Sequence, residues 1–212
     1  MAFDFKKEYK EFYLPKDTPV LVTVPSMNFA AVRGEGDPNE PNGAYQAALS
    51  ALYAAAYTLK MSKMGDHRIE GYFDYVVPPL EGFWRTKDAA DFDPGRKAEL
   101  RWISVLRLPD FVTPEELTWA KEEAARKKKA DCGAVEFLTL EEGLCVQCMH
   151  LGPYDDEPAT IRRMHDFAAV QGLFPDLGGE RLHHEIYLGD PRRTAPEKLK
   201  TVLRLPLRPV AG

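Results

Sequence analysis

The chain has 212 residues, 44% hydrophobic and 29% charged, a balance that supports an ordinary globular core as one large domain or two small fused units. A formal net charge of −5 argues against nucleic acid as a partner, because neutralising phosphates takes a surplus of Lys and Arg. No apolar run approaches the ~20 residues of a membrane span, Met1–Lys10 lacks the apolar stretch of a signal peptide, and three cysteines make a poor disulfide framework; a reduced, cytoplasmic protein is expected.

Residues 1–18 are charged and aromatic (Phe3, Phe5, Tyr9, Phe12, Tyr13) and read as a docked arm. Val20–Val24 reads as a strand bracketed by Pro19 and Pro25, and Phe29–Arg33 as a second strand stopped by Gly34, Gly36 and Pro38. The apolar positions Tyr45, Ala48, Leu49, Leu52, Tyr53, Ala56 and Leu59 follow helical spacing, with Asn42 as the expected N-cap. Tyr72–Val77 alternates and is rich in β-formers, which predicts a strand ended by Pro78-Pro79. Leu80–Trp84 is expected as an aromatic loop, residues 86–97 as a polar segment, and Leu100–Leu108 as a strand. Thr113-Pro114-Glu115-Glu116 is a strong helix start, with Thr as cap and Pro in the first turn. That helix is expected to run to Lys129, where Arg126–Lys129 complements the helix dipole.

The second half repeats this order. Val135–Thr139 and Leu144–Leu151 read as a hairpin around Glu141-Glu142-Gly143. Pro158 opens a helix with Ile161, Met164, Phe167 and Ala168 on one face, and His183–Leu188 and Leu199–Leu207 are the last strands. Both halves therefore read strand, acidic Gly/Pro turn, helix, strand, strand. Even their endings agree: Val105-Leu-Arg-Leu-Pro109 matches Val202-Leu-Arg-Leu-Pro206. The expectation is one domain over residues 1–212, with halves at 18–112 and 130–210 joined by a helix near 114–129. A duplicated unit packing with pseudo-two-fold symmetry leaves a cleft at the junction.

The segment His184-Glu185-Ile186-Tyr187, followed by a last strand of the type Leu-Arg-Leu-Pro-Leu, resembles the GyrI-like ligand-binding family. The resemblance implies an α+β fold of two pseudo-symmetric β-α-β-β modules with antiparallel sheets and a central ligand cleft, with Glu185 on the penultimate strand facing that cleft. No DNA-binding helical region precedes the domain, so the transcription-activator role of some members is not expected here. Gly71–Trp84, with Tyr72, Phe73, Tyr75, Phe83 and Trp84, looks like a free-standing branch that includes hydrolases of DNA-alkylating cyclopropanoid compounds. That likeness implies a cofactor-free xenobiotic-detoxifying hydrolase with an aromatic cage and a carboxylate. Its partner would be a planar hydrophobic or cationic small molecule.

Strand alternation puts His183, Glu185 and Tyr187 on one face. A carboxylate among aromatic rings can activate a water or attract a cation. Its bland alternative is a surface carboxylate paired with Arg or Lys. The catalytic candidates are Glu185 and Tyr75, with Tyr75 or a histidine supporting the developing oxyanion. The ligand-binding candidates are Trp84, Phe83, Tyr154, Tyr187 and His183, because aromatic faces grip a flat ligand and stabilise positive charge on it. Trp102 and Trp119 read as packing residues. No metal is expected: Cys145-Val-Gln-Cys148 lacks a second pair for zinc, and on a strand its cysteines point oppositely, as do His183 and His184. A non-catalytic drug-binding module and a gyrase-inhibitor-like interaction protein are the rival readings.

Overall fold

A computed structural model describes residues 2–87, 92–179 and 181–209. Two short helices, α1 (Phe5–Glu8) and α2 (Lys10–Tyr13), form the N-terminal arm, and Phe5, Phe12 and Tyr13 bury themselves in the core. Then come β1 (Val20–Glu35), α3 (Ala44–Lys60), β2 (Leu80–Thr86), β3 (Leu100–Arg107) and α4 (Pro114–Lys128). The second half supplies β4 (Glu136–Leu151), α5 (Glu157–Val170), β5 (Leu173–Pro175), β6 (His183–Tyr187) and β7 (Lys200–Pro209).

All the ladders between these strands are antiparallel, in the order β4-β1-β3-β2-β6-β7-β5, and β4 also pairs with β7. Six strands therefore close into a barrel-like ring, with β5 appended to β7. The pairing is symmetric: β1 pairs with β3 as β4 pairs with β7, and β2 with β3 as β6 with β7. The two β-α-β-β modules join through β1–β4 and β2–β6.

Several boundaries differ from the expectation. Val20–Val24 and Phe29–Arg33 are one continuous strand. Pro25 is skipped in the β1–β4 pairing between Val24–Gly143 and Ser26–Glu141, and at this point β3 does not yet flank β1, so the missing N–H breaks no central ladder. Val135–Thr139 and Leu144–Leu151 are likewise no hairpin. The positive φ of 64° at Gly143 bends β4 without reversing it, and the pairing partners run in unbroken register on both sides. Tyr72–Val77 is not a sheet strand either. Its backbone bonds to the arm instead, through Phe3 N to Asp74 O and Val76 N to Phe3 O, both at 2.8 Å. The strand of this module is β2, in the segment expected as a loop, because the two prolines stop the chain before Leu80 and leave Leu80–Thr86 free to enter the sheet. Asn42 does not cap α3: it takes a left-handed φ of 57°, Gly43 is the cap residue, and the Asn42 N–H donates to Gln46 Oε1. Part of the polar segment 86–97 lies outside the described residues.

Other expectations match. Thr113 caps α4, its Oγ1 accepting from the Glu116 N–H at 3.3 Å. Ala48, Ala51, Leu52, Ala55, Ala56 and Leu59 form the buried stripe of α3, facing the sheet and α4. Leu52 and Leu59 are fully buried and each contributes roughly 2 kcal/mol. Cys145 and Cys148 pack into different hydrophobic clusters. Among the described residues, no helix is long and apolar enough to cross a membrane.

Candidate functional site

Alternation along β2 and β6 sorts their side chains onto two faces. Register places Trp84 opposite His183 and Gly82 opposite Glu185, on the face that carries Tyr187. Glu81, Phe83 and His184 point the other way.

Glu185 lies at the centre of the first face, 5% exposed. One of its oxygens is 3.0 Å from His183 Nε2, and the other accepts from the Tyr187 hydroxyl at 2.7 Å. The Trp84 indole N–H donates in turn to the Tyr187 oxygen at 2.9 Å. From the start of α5, Glu157 brings a second buried carboxyl against Glu185. Burial first, then the charge of Glu185 and the hydrogen bond to it, holds the Glu157 carboxyl well above the usual carboxylate range. Two buried carboxyls with ligand atoms within 4.8 Å of each other cannot both ionise cheaply, which is why Glu157 holds its proton more tightly than an ordinary carboxyl. The Tyr187 phenol is pushed up by burial and then by Glu185, and Tyr154 is pushed up to about 12 by burial, then by Glu157 and Glu185.

Aromatic rings enclose these groups. Tyr45, from the first turn of α3, packs on Trp84 at 5.6 Å and on Trp102 at 5.0 Å between ring centres. Phe92 stacks on His183 at 4.5 Å, and Tyr154 meets Tyr187 edge-on at 5.8 Å. Glu157 Oε1 and His183 Nδ1 are buried without a hydrogen-bond partner among the described residues. Such unmet capacity costs about 1–3 kcal/mol per group and is expected where a water or ligand atom belongs. Glu157, His183 and Glu185 offer ligand atoms all within 4.8 Å of one another, a donor set able to take a divalent cation.

The structure thus brings together Glu185, His183, Tyr187, Trp84 and Tyr154. It leaves two sequence candidates elsewhere. Tyr75 packs against Phe5, Phe73 and Phe111 under the N-terminal arm. Phe83 lies on the opposite face of β2 and stacks on His184 at 4.0 Å. Sequence reasoning missed Glu157, Tyr45 and Phe92. Glu157 precedes Pro158 and looks like any acidic first-turn residue, and Tyr45 looks like a packing position of its helix; only the tertiary contacts single them out.

The family model for the GyrI-like small molecule binding domain matches residues 17–208. The chain belongs to the GyrI-like family. The crystal structure of "an uncharacterized conserved protein from Listeria innocua" is 52% identical, with a TM-score of 0.91, covering 98% of this chain and 100% of that one. The structure of "a hydrolase from Listeria innocua" is 51% identical at a TM-score of 0.89, with the same coverage. The EcmrR C-terminal domain, 12% identical at a TM-score of 0.54 over 91% of this chain and 98% of that one, shares the GyrI-like fold. No curated protein matches the chain.

Proposed function

We propose that this small-molecule-binding domain is a hydrolase that opens the cyclopropane ring of DNA-alkylating cyclopropanoid compounds with water, and so detoxifies them. The observation that carries the reading is the buried Glu185 side chain, fixed between His183 and Tyr187 and set against Glu157, whose carboxyl is held well above the usual carboxylate range. The 51% identity to a Listeria innocua protein described as a hydrolase supports it.

In the proposed reaction the flat ligand displaces part of the aromatic packing and lies among Trp84, Tyr45 and Tyr154. Glu185 takes a proton from a water as its oxygen bonds to the methylene carbon of the cyclopropane. The ring C–C bond breaks, and its electron pair flows to the conjugated carbonyl oxygen. Glu157 returns a proton there and is reprotonated from Glu185, so one water is consumed and nothing is oxidised or reduced. The aromatic walls exclude bulk water, and ring strain supplies driving force.

The test is incubation of purified protein with a cyclopropanoid alkylator, following the product by chromatography and mass. A water-added product formed by wild type and lost in Glu185→Gln supports the hydrolase. Ligand that binds but is recovered intact overturns it in favour of a sequestering module. Ring opening that survives exhaustive chelation fits catalysis by carboxylates alone, whereas its loss, restored by a divalent cation, would assign Glu157, His183 and Glu185 to a metal.

A further inference from the structure

On the opposite face of the sheet a cavity of about 180 Å³ opens near the ends of β1, β2 and β3. A dry cavity of about 150 Å³ takes a benzene-sized molecule, so the space suits a small organic ligand. Its walls are Phe83, Ile103, Leu138, Leu140 and Leu182, and among the described residues its charged lining is Arg33, Arg85 and Arg101.

Register explains the arrangement. Phe83, Ile103 and Arg33 form one row across β2, β3 and β1, and Arg85, Arg101 and Glu35 form the next row on the same face. Arg85 and Arg101 are therefore directly opposed, a pairing of like charges that weakens a sheet unless an anion intervenes. Glu136 and Glu35 pair with Arg33 and Arg101, at 2.6 and 3.4 Å. Exposed Arg85 has no hydrogen-bond or ion-pair partner among the described residues. Among the described residues, the Arg85 guanidinium is thus exposed beside an apolar floor without a countercharge.

We propose that this cavity is a second ligand site, independent of Glu185, that binds a small amphipathic monoanion: a flat apolar ring carrying one carboxylate. The ring lies on Phe83 and Ile103, and the carboxylate bridges Arg85 and Arg101, whose planar forks match its geometry. The anion removes the like-charge opposition, and because the arginines sit at the rim, affinity falls with added salt.

Calorimetric titration with 2-naphthoate, against the neutral 2-naphthamide, tests the site. Saturable one-to-one binding of naphthoate is expected, with the amide weaker by about tenfold or more. Arg85→Glu and the milder Arg85→Gln, both at an exposed position, should weaken naphthoate by about tenfold and less than tenfold respectively, with unfolding curves like wild type. Glu185→Gln should bind naphthoate as wild type does. Absence of saturable binding, equal affinity for the amide, indifference to both Arg85 variants, or loss in Glu185→Gln would each overturn the proposal. The last result would put the ring in the Glu185 site, without bearing on ring opening there.

Discussion

Gly82 sits directly across the β2–β6 ladder from Glu185, and the space where its side chain would be is filled by the Trp84 indole and the Tyr187 hydroxyl. A Cβ at this position would come within 2.5 Å of Trp84 Nε1 and 3.1 Å of the Tyr187 oxygen. Gly82→Ala must therefore push the indole or the strand aside, at a cost of roughly 1–3 kcal/mol. The expected outcome is a melting temperature lower by roughly 5 °C, together with a loss of ring opening larger than that destabilisation alone would produce. A variant with wild-type turnover would show that the Trp84–Tyr187–Glu185 chain of hydrogen bonds plays no part in catalysis.

Tyr187→Phe removes the group that both donates to Glu185 and accepts from Trp84. It strands a buried indole N–H and deprives the carboxylate of one anchor, each an effect of about 1–3 kcal/mol. Single-turnover rates should fall by about tenfold or more, while binding of an unreactive ligand analogue changes less. An equal loss in binding and rate would make Tyr187 a packing residue.

Glu157 titrates above its ordinary range in the folded protein, so the folded state holds a proton that the unfolded chain has released. Stability linked to this group is full below the unfolded pKa and declines as pH rises toward the folded one, by at most about 1.4 kcal/mol per pH unit. Glu157→Gln removes that dependence. Its melting temperature should rise relative to wild type as pH increases from about 4.5. Parallel curves at all pH values would show that Glu157 does not hold its proton more tightly in the folded chain than in the unfolded one.

On the barrel's other face, Glu142 has the opposite dependence. Glu142 lies 3.0 Å from His184 Nδ1 and accepts from Arg204 at 2.8 Å, with Glu81 Oε2 3.0 Å from the far nitrogen of His184. Burial pushes Glu142 up, but the charges of His184 and Arg204 outweigh it and hold its carboxyl down at about 2. Burial likewise opposes charge on His184, and Glu142 with Glu81 overcomes it and raises that pKa. Because the Glu142 pKa is depressed, its contribution is full above the unfolded value and is lost as pH falls from about 4.5 toward 2, a span of roughly 3 kcal/mol. Acid titration of unfolding should show this loss in wild type and a flatter profile in Glu142→Gln, which starts less stable because Arg204 is left without its carboxylate.

These pairs show where the sequence was readable. Period-3.6 spacing located α3 and α5 and the Thr113-Pro114 start located α4, because each pattern arises from contacts within a few residues, and the segments holding β3, β6 and β7 read as strands. Glu185, His183 and Tyr187 could be placed on one face from strand alternation alone. Pro25 and Gly143 misled because a proline in an unflanked stretch and a glycine at a bend look locally like chain reversals. Tyr72–Val77 misled because β-propensity does not say which edge a segment bonds to, and here the edge belongs to the N-terminal arm.

The sequence by itself determined the composition of a globular α+β domain, the tandem order of its elements and the carboxylate on the penultimate strand. Only the tertiary structure decided that Glu157, from a helix start nearly thirty residues earlier, sets a second buried carboxyl against that one. It also decided that adjacent Phe83 and Trp84 lie on opposite faces of one sheet, Phe83 lining the cavity and Trp84 bonded to Tyr187. The physical reason is range: periodicity and capping are set by neighbours along the chain, whereas burial, register and the meeting of two carboxyls depend on which distant segments the closed ring of strands brings together.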